Sequence, residues 1–80
     1  MFDLERVRES IAAEVRAAMG RHNITAKAIS VATGIPPATL SRKINGLVGF
    51  TLEELFKVTQ ALNISAADLI REATAAASAA

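Results

Sequence analysis

The stretch TAKAISVATGIPPATLSRKING, residues 25–46, decides the fold. Thr25 is a helix N-cap, because its hydroxyl can accept from an unpaired amide of the first turn, and Ala28, Ile29 and Ala32 follow at helical spacing. Gly34 falls just after that periodic run, where a left-handed conformation costs a residue without a Cβ nothing. Pro36-Pro37 then supplies the fixed φ of a new helix start. In the second helix Leu40 and Ile44 lie four apart on one face, and Asn45-Gly46 is the stop. The segment therefore reads as two short helices joined by a tight glycine turn.

Helices of about two turns are marginal alone, so this pair needs further helices beneath Ile29, Leu40 and Ile44. The other face of the second helix carries Ala38, Thr39, Ser41, Arg42 and Lys43. Small and polar groups of this kind make a poor core and a workable surface for entering a DNA groove.

On these residues the segment resembles the helix-turn-helix of the phage repressor and Cro-like (Xre-type) family. The match rests on Gly34 in the turn, the small Ser30 one turn before the end of the first helix, and apolar Ile29, Ile35, Leu40 and Ile44. The passage from SRKING through TLEELFKVTQALNIS also resembles the family's third and fourth helices, so the likeness covers roughly residues 24–70. It implies an all-α, lambda-repressor-like bundle of about five short helices around a central helix-turn-helix, acting in transcriptional control as a phage or prophage repressor or a Cro-like regulator. The second motif helix is then the one presented to base edges, with Pro37, Ala38, Thr39, Ser41 and Arg42 in position for readout. Thr39 and Ser41 can donate or accept, and the Ala38 methyl can touch thymine. Arg42 can either read guanine through two hydrogen bonds or clamp a phosphate. Phosphate candidates are Arg21, Thr25, Lys27, Lys43 and Asn45. Where relatives commonly carry glutamine, this chain has Ala26, Pro37 and Ala38, which shifts readout to Arg42, Thr39 and Ser41 or to DNA shape.

Eighty residues make one small domain, read here as residues 1–72 followed by an alanine-rich tail, 73–80, expected to fray for want of a large apolar anchor. The absence of cysteine excludes disulfides and thiolate metal sites and suits a reducing cytoplasm, and the resemblance implies that of a bacterial cell or phage-infected host, at the nucleoid. No apolar run approaches the roughly 18 residues of a membrane span, and Asp3 and Glu5 close behind Met1 do not resemble a secretory signal. Net charge is only +1, yet its distribution is uneven: all eight carboxylates lie outside the interval between Glu14 and Glu53, which holds Arg16, Arg21, Lys27, Arg42 and Lys43. This is either an electrostatic footprint for phosphate or a solvated face on which basic residues cluster.

Flanking the motif, Leu4, Val7, Ile11, Val15 and Ala18 trace one stripe of a scaffold helix from Asp3 to Met19, ended by Gly20, with Glu5 and Glu9 able to pair with Arg8 and Arg6. His22, with no second ligand near it, reads as a surface or loop-capping residue. Phe50, Thr51, Glu54 and Leu55 combine a hydrophobic staple with a capping box, and Leu47 is expected to tuck beneath. Val48 is left as an exposed side chain or as a contact to DNA sugar or a second subunit. The fourth helix, Leu52 to Leu62, is expected to bury Leu52, Leu55, Phe56, Thr59 and Leu62 before Asn63 ends it, and Ser65 with Asp68 marks a fifth start with Leu69 and Ile70 inward.

Catalysis has no candidates: there is no phosphate-binding glycine loop, no nucleophile beside a base and no metal-holding acid cluster, so no cofactor, metal or small-molecule substrate is expected. Lacking tyrosine and tryptophan, the chain is poorly suited to stacking on unpaired bases, and double-stranded operator DNA is the expected partner. The competing reading is a helical protein-interaction module, such as an antitoxin or adaptor, using Leu47, Val48 and residues 73–80. As a free protein, a monomer or weak homodimer pairing on DNA is expected.

Overall fold

The computed structural model describes residues 3–78, and these form five helices: α1 (Leu4–His22), α2 (Ala26–Thr33), α3 (Pro37–Ile44), α4 (Leu52–Ala61) and α5 (Ala66–Ser78). The bundle is all-α, as expected. Val15, Ala18, Ile29, Ile35, Leu40, Ile44, Leu55, Val58, Leu62 and Leu69 make one buried cluster, with Ile11, Met19, Ile24, Phe50, Ile64 and Ile70 packed around it. No helix of the described residues is long and apolar enough to cross a membrane.

Local chemistry explains most boundaries. Asp3 caps α1 through the Glu5 amide, Thr25 caps α2 through the Ala28 amide at 3.1 Å, and Ser65 accepts from the Asp68 amide at 3.2 Å. Thr51 and Glu54 complete the expected capping box on α4, while Phe50 packs against the cluster containing Leu55. Gly34 and Gly46 both sit at positive φ, +77° and +78°.

Several expectations are corrected. α1 does not stop at Gly20; it continues to His22 and ends at Asn23, whose left-handed φ of 54° an asparagine tolerates. Ile24 then donates back to the Met19 carbonyl at 3.0 Å and drops into the core, completing a Schellman ending. In α4 the buried stripe is Leu55, Val58 and Thr59, continued by Leu62, while Leu52 and Phe56 remain exposed. The staple fixes the helix phase by turning Leu55 inward, and Val58, Thr59 and Leu62 follow at its three-, four- and seven-residue spacings. Thr59 is tolerated inside because its hydroxyl donates back to the Leu55 carbonyl at 2.9 Å. Leu47, expected in the core, is 70% exposed on the α3–α4 loop. The expected Glu–Arg pairs of α1 do not form; the ion pairs among the described residues are Lys43–Glu54 and Arg71–Asp68. α5 itself is continuous from Ala66 to Ser78, and Ala73 is fully buried. Residues 79 and 80 of the expected tail lie outside the described residues.

Candidate nucleic-acid interface

The α2–α3 junction is braced by side chains as well as by its glycine. Ser30, buried, donates its hydroxyl to the Ile35 carbonyl at 2.6 Å, and Gly34 donates its amide to the Ser30 carbonyl at 2.9 Å. Thr33 donates to the Ile29 carbonyl and accepts from the Ile35 amide. The bonds from Ser30 and to Thr33 satisfy the Ile35 carbonyl and amide, main-chain groups that the abrupt change of direction leaves without a helical partner. The result fixes the angle at which α3 leaves α2.

On α3, Leu40, Lys43 and Ile44 are buried, whereas Pro37, Ala38, Thr39, Ser41 and Arg42 are all exposed. Apolar anchorage on one side thus leaves the residues of the other side together on a free surface. Both α2 and α3 lack acids in their first turns. α3 has no side-chain cap at all, and Thr25 accepts from Ala28 alone, so the amides at both helix starts are open to an anion, with no carboxylate to repel it.

The basic residues of the acid-free interval do not share one fate. Lys27 and Arg42 are exposed on the two motif helices. Arg16 reaches from α1 to donate to the Ile44 carbonyl at 2.7 Å, which places its charge at the negative end of α3. Arg21 is exposed but borders a cleft that also contains Glu14, Asp68 and Glu72. Lys43 departs furthest from expectation. Its side chain is only 9% exposed and its ammonium is paired with Glu54 of α4, so it is not a free cation for phosphate. The three- and four-residue spacing of Leu40, Lys43 and Ile44 is the sequence feature that places it underneath.

Asn45 also has a local task. Its side-chain amide donates to the Ser41 carbonyl at 2.9 Å, closing the C-terminal turn of α3. The carboxyl of Glu54 is held below the usual glutamate range, first by its hydrogen bond from Lys43 and then by the one from the Thr51 amide.

A bundle in which a glycine-turned helix pair is anchored by one apolar face and offers the opposite face of its second helix to solvent is a helix-turn-helix DNA-binding domain. The Cro/C1-type HTH DNA-binding domain matches residues 14–71, and the chain belongs to that family of double-stranded-DNA-binding regulators. Among solved structures it is similar to the clp gene regulator ClgR from Corynebacterium glutamicum. One ClgR structure is 27% identical with a TM-score of 0.83, over 92% of this chain and 96% of that one. Another is 29% identical with a TM-score of 0.81, over 86% and 73% respectively. Among curated proteins no relative matches.

Proposed function

We propose that this chain controls transcription by seating α3 in the major groove of an operator, as a repressor or Cro-like regulator of phage or bacterial genes. The observation that carries the reading is the exposed set Pro37, Ala38, Thr39, Ser41 and Arg42 over a buried Leu40 and Ile44. Arg42 is the main reader in this scheme, since a guanidinium can bind guanine at two atoms, and Thr39 and Ser41 supply adaptable hydroxyls. Thr25, Lys27 and the open amides at the start of α2 hold phosphate, which sets register without reading sequence. Arg21 and Asn45 stand as secondary phosphate contacts, the former beside a cleft that also holds carboxylates and the latter with one amide hydrogen already used.

The family description, Cro/C1-type, supports the repressor-like role, and the likeness to a clp gene regulator supports a chromosomal target equally well. The test is selection of duplexes from a random library, followed by fluorescence anisotropy of the selected and scrambled duplexes at several salt concentrations. Arg42→Ala should weaken the selected duplex tenfold or more, about 1.4 kcal/mol, with little change on scrambled DNA. Lys27→Ala should weaken both alike and make the salt dependence shallower. Absence of binding even at low salt overturns the reading and directs attention to a protein partner.

A further inference from the structure

The pose of α3 depends on polar links at its C-terminal end. α3 packs chiefly against α2 and α1, and its main chain makes little approach to α4. Besides the core cluster that Leu40 and Ile44 share with Leu55 and Val58, the Lys43–Glu54 pair spans α3 and α4. Within it a single carboxylate oxygen of Glu54 serves two donors, the Lys43 ammonium and, at 2.8 Å, the Thr51 amide that begins α4. One residue further along, the Arg16 guanidinium ties the Ile44 carbonyl to α1 at 2.7 Å. The start of α3 has no side-chain cap. The start of α3 is set by the Ser30–Ile35 brace and the buried Leu40, and its C-terminal end is set by these polar links.

We propose that Lys43 and Glu54 are positioning residues for DNA recognition: they fix the angle of α3 against α4, and Lys43 contributes to operator binding through that angle and not by touching phosphate. The inference rests on α3 being the groove-reading helix. A buried ammonium stays where its counter-charge is, because leaving it unpaired in a low-dielectric surrounding is costly. Moving Lys43 toward DNA would require breaking that pair and uncovering one acceptor of the α4 capping box. Glu54 in turn cannot shift without loosening the first turn of α4. The pair therefore couples the orientation of the reading helix to the start of α4, and its effect should appear in discrimination more than in general affinity.

The experiment is a double-mutant cycle with Glu54→Gln, which retains a side-chain acceptor for the Thr51 amide, and Lys43→Met, which preserves the length and apolar stem of the side chain. Wild type, both singles and the double are titrated by anisotropy against a duplex selected by the wild-type protein and against a scrambled duplex. Titrations are run at several salt concentrations, at a temperature where circular dichroism shows every variant folded. Each single should lower the ratio of selected to scrambled affinity about fivefold, and the double should fall no further than the singles. The salt slope of Lys43→Met should equal that of wild type. A slope shallower by about one for Lys43→Met would overturn the proposal by placing Lys43 on a phosphate. An unchanged ratio in both singles would overturn it by making the pair a matter of stability alone. If wild type binds neither duplex, the groove-reading assignment of α3 fails first and this role falls with it, an outcome distinct from wild type binding well and the variants matching it.

Discussion

Where α1 meets α5, the helices are 19 and 13 residues long and their buried faces are Ala12, Val15, Ala18 and Ala66, Leu69, Ala73. Where α2 meets α3, each helix has eight residues and the junction depends on Gly34, Ser30 and Thr33. The first pair gains from length and from small side chains that let two backbones approach, so its stability is spread over many ordinary contacts. The second pair cannot draw on length, because two turns of helix hold too few hydrogen bonds to persist alone. It relies on caps, one left-handed residue and polar links to its neighbours. The two pairs differ in what they do with one face: the scaffold buries Ala12, Ala18, Ala66 and Ala73, and the motif presents one face of α3 outward.

Substitutions should separate the two regimes, starting with the largest effect. Leu40→Ala removes the fully buried anchor of α3 and should cost about 2–5 kcal/mol in urea denaturation. Because Leu40 and Leu69 belong to one cluster, unfolding should stay a single transition; two separate transitions would break the view that motif and scaffold share a core. On the scaffold side, Ala73→Leu forces extra volume into a site with no exposure and should cost about 1–3 kcal/mol, whereas the same change at exposed Ala75 should be nearly neutral.

The glycines sharpen the contrast further. At Gly34 an added Cβ meets nothing within 4 Å, so the penalty of Gly34→Ala is the backbone strain of φ +77°, about 1–2 kcal/mol. At Gly20, which lies inside α1 with equally open surroundings, Ala should instead stabilise by about 0.5–1 kcal/mol through helix propensity. Thermal melts of the two variants should move in opposite directions; movement in the same direction would remove the distinction between a turn held by conformation and a helix held by length.

The smallest effect concerns pH. The Glu54 carboxyl is lowered in the folded protein by Lys43 and Thr51, so its contribution to stability is present above the ordinary glutamate range. That contribution is lost as pH falls through the lowered value. Melting temperatures of wild type and Glu54→Gln should therefore differ at neutral pH and converge in acid, and a difference that persists unchanged in acid would dissociate the pair from this linkage.

Much of this arrangement was legible in residues 25–46, since the cap at Thr25, the turn at Gly34, the restart at Pro37 and the stop at Asn45-Gly46 are all present. Exposure of Thr39, Ser41 and Arg42 followed from the same periodicity. The clustering of basic residues was legible as well, but their tasks were not. Arg16, Lys43 and Arg21 lie close together in composition and charge, yet one ties α1 to α3, one is buried against α4 and one borders an acidic cleft. Likewise the burial of Ala73 depended on which helix lay opposite, while Val58 in place of Phe56 in the core of α4 follows from Leu55 by a three-residue spacing.

By itself the sequence determined the helices, their caps, the glycine turn and the apolar side of α3. Caps and turns act through hydrogen bonds within about four residues, so every group they need is printed nearby. Only the tertiary structure decided which partner each buried or tethered cation takes, that Leu47 of the α3–α4 loop faces solvent, and that Ala73 is covered. The partners are brought together across 11 residues for Lys43 and Glu54 and across 28 for Arg16 and Ile44, separations over which local spacing does not name the partner.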